Sequence, residues 1–370
     1  MEQTLSTLRK RLFANARPER TPASCTFELT PTCNLRCHFC YVALDPYKGP
    51  YLSTDQVCRV LDVIEQSGVL FLTLTGGEIF TRRDFPEIYR YAKNKGFLVT
   101  LYSNATMVTE RIAALLRDDP PFSIEVSIYG ADAEHYEATT GITGSFARFE
   151  RGMDLLQTVG APLCMKTPIS KITEHHIPQL LAWAKSRGLP WRFDLTIDAR
   201  HDGGQQPVVY RIEPRRNREL YEDIRELHGV PRGFTPPLPE CSDTEGSNAE
   251  ELYTCGAGRT GYFVDGLGNV SHCIVDRTPV FPILEMPWDE IWRRIGTWVT
   301  QPLPDEAPCH GCGLRHSCGN CPARSRMHTG SPYLKDPYFC DINHYDHGLE
   351  PLEHPDYRQI AKRQLGACVA

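Results

Sequence analysis

The chain has 370 residues, 41% hydrophobic and 23% charged, which excludes a disordered or fibrous protein and predicts one large globular domain with a smaller one. A net charge of −6 argues against a nucleic-acid-binding surface, and no apolar run approaches membrane-spanning length. Residues 1–20 are polar and basic without the apolar core of a signal peptide, so the expected location is cytoplasmic.

Residues 1–23 read as a helical leader or loose arm. From residue 24 strands and helices alternate. A short strand over 26–30 stops at Pro31. Ser53, Thr54 and Asp55 are set to cap a helix whose apolar face carries Val57, Val60, Leu61 and Ile64, with Gly68 at its end. Further strands are expected at 69–74, 97–102, 122–128, 162–169 and 191–197, with helices at 84–95, 109–117, 146–159 and 174–187. Right-handed crossovers would curl these six strands into a parallel α/β sheet or part of a barrel, with its active site at the carboxyl ends of the strands. A helix over 214–228 follows, flanked by the loop signals Gly203-Gly204 and Pro236-Pro237. The expected division is an arm over 1–23, a barrel over 24–235, a cysteine-rich domain over 236–345 and a tail over 346–370. Beyond the barrel the secondary-structure signals fade.

Fifteen cysteines in a cytosolic chain point to metal or redox use rather than disulfides. Three stand together as Cys33-x3-Cys37-x2-Cys40, on a loop that leaves the first strand. Three thiolates suit a [4Fe–4S] cluster with one iron uncovered by protein, and that iron can take the amine and carboxylate of S-adenosylmethionine. Zinc is the competing reading, but it usually wants four ligands in two pairs, and no second pair lies nearby. With Phe39 before the last cysteine, the octapeptide 33–40 resembles the signature of radical S-adenosylmethionine (radical SAM) enzymes. The fold this implies is a partial (β/α)6 radical SAM barrel, open on one side for substrate.

The same resemblance implies cofactor contacts. Thr75-Gly76-Gly77-Glu78 follows the second strand and resembles the Gly-Gly-Glu segment that holds the methionine amine. Taken without the resemblance, it is a strand-to-helix turn. Ser103 and Asn104 end the third strand and Ser127 the fourth, where relatives contact ribose or the methionine carboxylate; strand capping is the structural alternative. Many relatives carry an arginine in the helix after the fourth strand, and residues 136–141 have none. Lys166 on the fifth strand is the substitute candidate.

Seven later cysteines, Cys255, Cys273, Cys309, Cys312, Cys318, Cys321 and Cys340, resemble a C-terminal SPASM domain, which carries auxiliary iron–sulfur clusters. One departure is the two-residue gap between Cys318 and Cys321, where the family has three. The resemblance assigns Cys309, Cys312, Cys318 and Cys340 to one closed cluster. Cys255, Cys273 and Cys321 go to another that lacks a fourth thiolate. Either Cys241 completes it or an iron stays open, and the open site is favoured.

The function implied is a radical SAM/SPASM enzyme that cleaves S-adenosylmethionine to a 5′-deoxyadenosyl radical. It takes hydrogen from a ribosomally made peptide, giving a crosslink, an epimerisation or an oxidation. Expected partners are the peptide, a separate leader-binding protein and an electron donor such as flavodoxin or ferredoxin. The alternatives are a sulfatase-maturase-like dehydrogenase, a tetrapyrrole or small-molecule modifier, and a non-enzymatic electron carrier or zinc scaffold. The sulfatase-maturase reading is weakened because Ile274, not an aspartate, follows Cys273. No catalytic base is evident; Asp194, Asp198 and Tyr129 are possible mouth-facing groups.

Overall fold

The computed structural model describes residues 5–42, 51–227, 229, 251–310, 312, 314, 318 and 321–349. Residues 230–250, Cys241 among them, and the tail from 350 lie outside them. Helix α1 (Leu5–Ala16) precedes β1 (Ser24–Thr30), and five strand-bearing units follow. They are α2 (Thr54–Gln66), β2 (Phe71–Gly76), α3 (Phe85–Asn94), β3 (Leu98–Ser103), α4 (Glu110–Asp118) and β4 (Ser123–Ser127). Next come α5 (Ala133–Thr140), α6 (Ser145–Thr158), β5 (Leu163–Pro168), α7 (Ile177–Ser186), β6 (Trp191–Asp194) and α8 (Pro214–Leu227).

Strands β1 to β6 pair in parallel in sequence order, as a partial (β/α)6 barrel requires. Their alternation decides which way each side chain faces. In β4, Ile124 and Val126 are buried while Ser123, Glu125 and Ser127 are half-open. In β5, Leu163, Met165 and Thr167 are buried while Cys164 and Lys166 are half-open. One face therefore packs under the helices and the other is a polar lumen wall. The helices supply the matching apolar stripe. Ser53 caps α2 in a reciprocal box with Gln56, and Val57, Val60, Leu61 and Ile64 are all buried.

Three expectations are corrected in detail. The second strand runs over Phe71–Gly76, not 69–74. The amides of Leu70 and Phe71 both donate to Ala23 at its start, and Gly76 still pairs with Thr30 across a bulge at its end. The sixth strand stops at Asp194, not 197, because its carboxylate accepts the amide of Thr196 at 2.8 Å and turns the chain out of the ladder. Secondary structure does not fade after residue 250. Strands β7 (Gly261–Val264), β8 (Asn269–Ser271) and β9 (Phe281–Pro282) and helices α9 (Trp288–Val299), α10 (Pro322–Thr329) and α11 (Pro337–Asp346) follow.

Strand β7 lies parallel against the free edge of β1, with β8 and β9 antiparallel beyond it. The sheet thus continues from the barrel into the cysteine-rich part, in the order β6-β5-β4-β3-β2-β1-β7-β8-β9. The N-terminal segment docks on both parts. Phe13 meets Phe71 at the start of β2, and the Arg20 guanidinium donates to the carbonyls of Gly258 and Trp292. No described helix is long and apolar enough to cross a membrane.

Candidate active site and metal centres

The Cys33–Cys40 loop leaves the carboxyl end of β1 and is tied on two sides. On one side Asn34 Nδ2 donates to Thr106 Oγ1 at 2.7 Å, and Asn104 Nδ2 donates to Asn34 Oδ1 at 3.2 Å. On the other, the amides of Arg36 and His38 donate to Thr140 and Thr139, the last carbonyls of α5, at 2.8 and 3.3 Å. Those carbonyls have no partner within the helix, so the loop acts as its C-cap. Phe39 packs on Tyr129, which packs on Tyr136, which packs on Phe149.

Gly76 and Gly77 are required here by close approach. A Cβ on Gly76 would stand 2.2 Å from the Thr30 oxygen, and one on Gly77 would stand 2.5 Å from the Thr32 oxygen. The amides of Gly77 and Glu78 donate to those same two oxygens, at 2.7 and 2.9 Å. The segment thereby anchors the start of the cysteine loop. Glu78 is 1% exposed. Its Oε1 accepts Phe80 N and Ser103 Oγ, and its Oε2 accepts Asn104 N at 2.7 Å. Burial pushes its carboxyl up to about 7, against those three hydrogen bonds, which favour the ionised form.

Ser103 belongs to the buried row of β3 with Val99 and Leu101, and its hydroxyl bridges Glu78 and the amide of Ala105. Asn104 reaches the loop itself, with Nδ2 3.8 Å from Cys33 Sγ. Ser127 and Lys166 are register partners on the lumen wall. The Lys166 ammonium stands 3.6 Å from Glu125 and over the Tyr102 ring. Asp194 caps Thr196 on the outside, whereas Asp198 is mostly buried against Arg324 and His328, 3.1 Å from each. Tyr129 is half-buried in the aromatic stack.

Burial raises the Cys33 thiol to about 11 and raises Cys37 and Cys40 as well; Cys37 also feels the charges of Cys40 and Cys33. Unliganded, the thiols hold their protons near neutrality, and a metal must displace them. Among the described residues no trio of cysteines brings its sulfurs within 4.8 Å of one another. Four thiolates on one zinc stand about 3.8 Å apart, given zinc–sulfur bonds of about 2.3 Å. Three thiolates as the donor set suit iron–sulfur ligation.

The later cysteines fall into two neighbourhoods. Burial pushes Cys273 up to about 12, and Cys321 and Cys255 are the thiols whose charges it feels. Cys340 is likewise pushed up to about 12 by burial, with Cys309 and Cys318 beside it. The Cys312 amide donates to Cys309 at 3.3 Å. A cavity of about 500 Å³ reaches Cys273 between α1, β1 and β7. Its wall includes His272, which is 2% exposed with neither ring nitrogen hydrogen-bonded.

Sequence reasoning missed Arg277, four residues after Cys273. Its guanidinium pairs with Glu28 of β1 at 2.7 Å and lies over the Phe263 ring. The two residues are 249 positions apart, and no local pattern announces the contact. His201 was also missed: it meets the Tyr41 ring edge-on and donates its amide to the Tyr41 carbonyl.

Against known proteins, residues 27–184 match the model of the radical SAM superfamily. The AdoMet-dependent heme synthase of Methanosarcina barkeri is 29% identical over 337 residues, covering 86% of this chain and 96% of that protein. The mycofactocin maturase MftC of Mycobacterium ulcerans is 29% identical over 327 residues, covering 84% of this chain and 85% of that one. Among solved structures, Streptococcus suis SuiB bound to precursor peptide SuiA superimposes with a TM-score of 0.69 at 15% identity, covering 92% of this chain and 82% of that one. Native anSMEcpe with bound AdoMet gives 0.64 at 15% identity, covering 88% and 97%.

Proposed function

We propose that the chain, whose residues 27–184 match the radical SAM superfamily, is a radical SAM enzyme with a SPASM-type cysteine-rich extension and that it modifies a ribosomally made peptide. The chemistry a [4Fe–4S] cluster would supply when bound is one electron to S-adenosylmethionine, which would break a carbon–sulfur bond to leave methionine and a 5′-deoxyadenosyl radical able to take hydrogen from an unactivated carbon. Cys33, Cys37 and Cys40 would hold that cluster. Asn34, Asn104 and the α5 carbonyls keep their loop in one conformation. Glu78 sets the Gly76-Gly77 turn against the loop, beside where the methionine amine would lie. Ser127 and Lys166 are the polar groups of the lumen wall placed for the methionine carboxylate or ribose. Cys309, Cys312, Cys318 and Cys340 would form one auxiliary site and Cys255, Cys273 and Cys321 the other. A flavodoxin- or ferredoxin-like donor and a separate leader-binding protein complete the reading.

The observation that carries it is the sheet itself. It puts the strand before the Cys33–Cys40 loop beside the strand between Cys255 and Cys273, because β1 and β7 are adjacent. The relatives named as maturases and the peptide-bound structural neighbour support a peptide as substrate. A second reading, tetrapyrrole modification, is favoured by similarity to heme synthases over 86% of the chain.

The test is anaerobic reconstitution, reduction and analysis of two substrate panels, short peptides encoded beside the gene and tetrapyrroles. Wild type should form 5′-deoxyadenosine and shift the mass of a peptide. The Cys33→Ala, Cys37→Ala, Cys40→Ala variant should do neither while retaining the downstream iron. Cofactor cleavage by that variant would sink the cluster assignment. Turnover of a tetrapyrrole with every peptide unchanged would install the second reading.

A further inference from the structure

We infer that Asp132, His135 and His176 form a binding site for one zinc-class divalent ion, separate from every cysteine site. Their ligand atoms all lie within 4.8 Å of one another, and they are the one three-ligand group of that kind among the described residues. Asp132 caps α5, and His135 stands one turn later on the same face. His176 comes from the next strand-to-helix connection, at the cap of α7. Two backbone segments at the carboxyl ends of β4 and β5 thus converge on one point.

The local chemistry suits an ion. Asp132 Oδ1 accepts the His135 amide at 3.0 Å and sits 2.6 Å from His135 Nδ1. An ion held at this contact would displace the proton the two atoms share. The charge of an ion would be met by Asp132 and by Glu134, both within electrostatic reach of His176. Two imidazoles and a carboxylate suit Zn²⁺ and its neighbours, with water completing the shell, and the side chains of Asp132 and His135 are open enough to admit one.

The ion would staple α5 to the connection between β5 and α7. The far end of α5 supplies the two carbonyls that hold the Arg36 and His38 amides. Zinc would thus brace the helix that braces the radical loop, without touching the lumen.

The probe is Zn²⁺ on tag-free, anaerobically reconstituted enzyme, dialysed at micromolar zinc, with zinc and iron counted together. Wild type should hold one zinc more than His176→Gln, with equal iron, and its Tm should rise with zinc where that of the variant does not. Asp132→Asn keeps a good helix cap, so it tests the ligand without removing the helix start; its zinc affinity should fall at least tenfold. Equal zinc in all three proteins, or zinc gained only as iron is lost, overturns the assignment.

Discussion

Gly152 lies in the middle of α6, where alanine would ordinarily stabilise a helix by about 1 kcal/mol. Here a Cβ would stand 2.0 Å from the Ala105 oxygen, and Ala105 is itself held at a φ of 59° in the turn after β3. That turn carries Asn104 toward the cysteine loop, so it has little room to yield. Gly152→Ala should therefore destabilise by about 1–3 kcal/mol, reversing the sign expected from propensity, as thermal unfolding against wild type would show. His201 gives a second prediction. Burial, with Arg277 nearby, depresses its pKa to about 3. Between its unfolded value of about 6.5 and that value, the unfolded chain binds a proton that the fold excludes. Its contribution is complete above that window and is lost as pH falls through it. The drop in Tm from pH 7 to pH 5 should be smaller in His201→Phe, which keeps a ring against Tyr41. An equal drop in both would remove His201 from the acid response.

At the scale of elements, the cysteine loop owes its shape to neighbours on both sides, and each can be tested separately. The Asn104 amide is 3.8 Å from Cys33 Sγ, and an N–H directed at a ligand sulfur raises the reduction potential of a cluster. Asn104→Leu should lower the potential of the radical cluster, read by anaerobic redox titration followed by paramagnetic resonance; an unchanged potential would leave Asn104 as a loop tie alone. Much at this scale was legible beforehand. Glycines at 68, 96 and 160 end helices because their φ values are positive, which glycine tolerates. The alternation of β4 and β5 is visible residue by residue. The thiol motif stands out in the sequence because its three cysteines lie within eight positions. Helix α5 was not, since its apolar pattern is weak and its task, offering two end carbonyls to residues 36 and 38, lies about a hundred positions away.

For the whole molecule, the contact of β1 with β7 is what joins the two cysteine fields, and the pair Glu28–Arg277 crosses the same join. Arg277→Met removes the guanidinium from a carboxylate that is 2% exposed. Removing one partner of a buried pair costs about 3–5 kcal/mol; Glu28→Gln combined with Arg277→Met should recover part of it, as a double-mutant cycle in chemical denaturation would show. Full additivity of the two substitutions would mean that the pair does not couple the halves. None of this was legible from the chain read in order. Residues 249 positions apart share no period, and their meeting depends on a sheet edge that exists only after the barrel has closed.

That edge also sets a timetable. On the ribosome β1 is made early, but the strand that covers it ends at Val264. At about 5–20 residues per second, roughly ten to fifty seconds pass with the nascent β1 lacking one neighbour. During that interval Cys33, Cys37 and Cys40 have been synthesised and the partner of Glu28 has not. A growing chain in this condition displays an unsatisfied strand edge beside three reactive thiols. Slow translation before codon 264, or oxygen during synthesis, should therefore harm the yield of this protein more than either would once the last strands are in place.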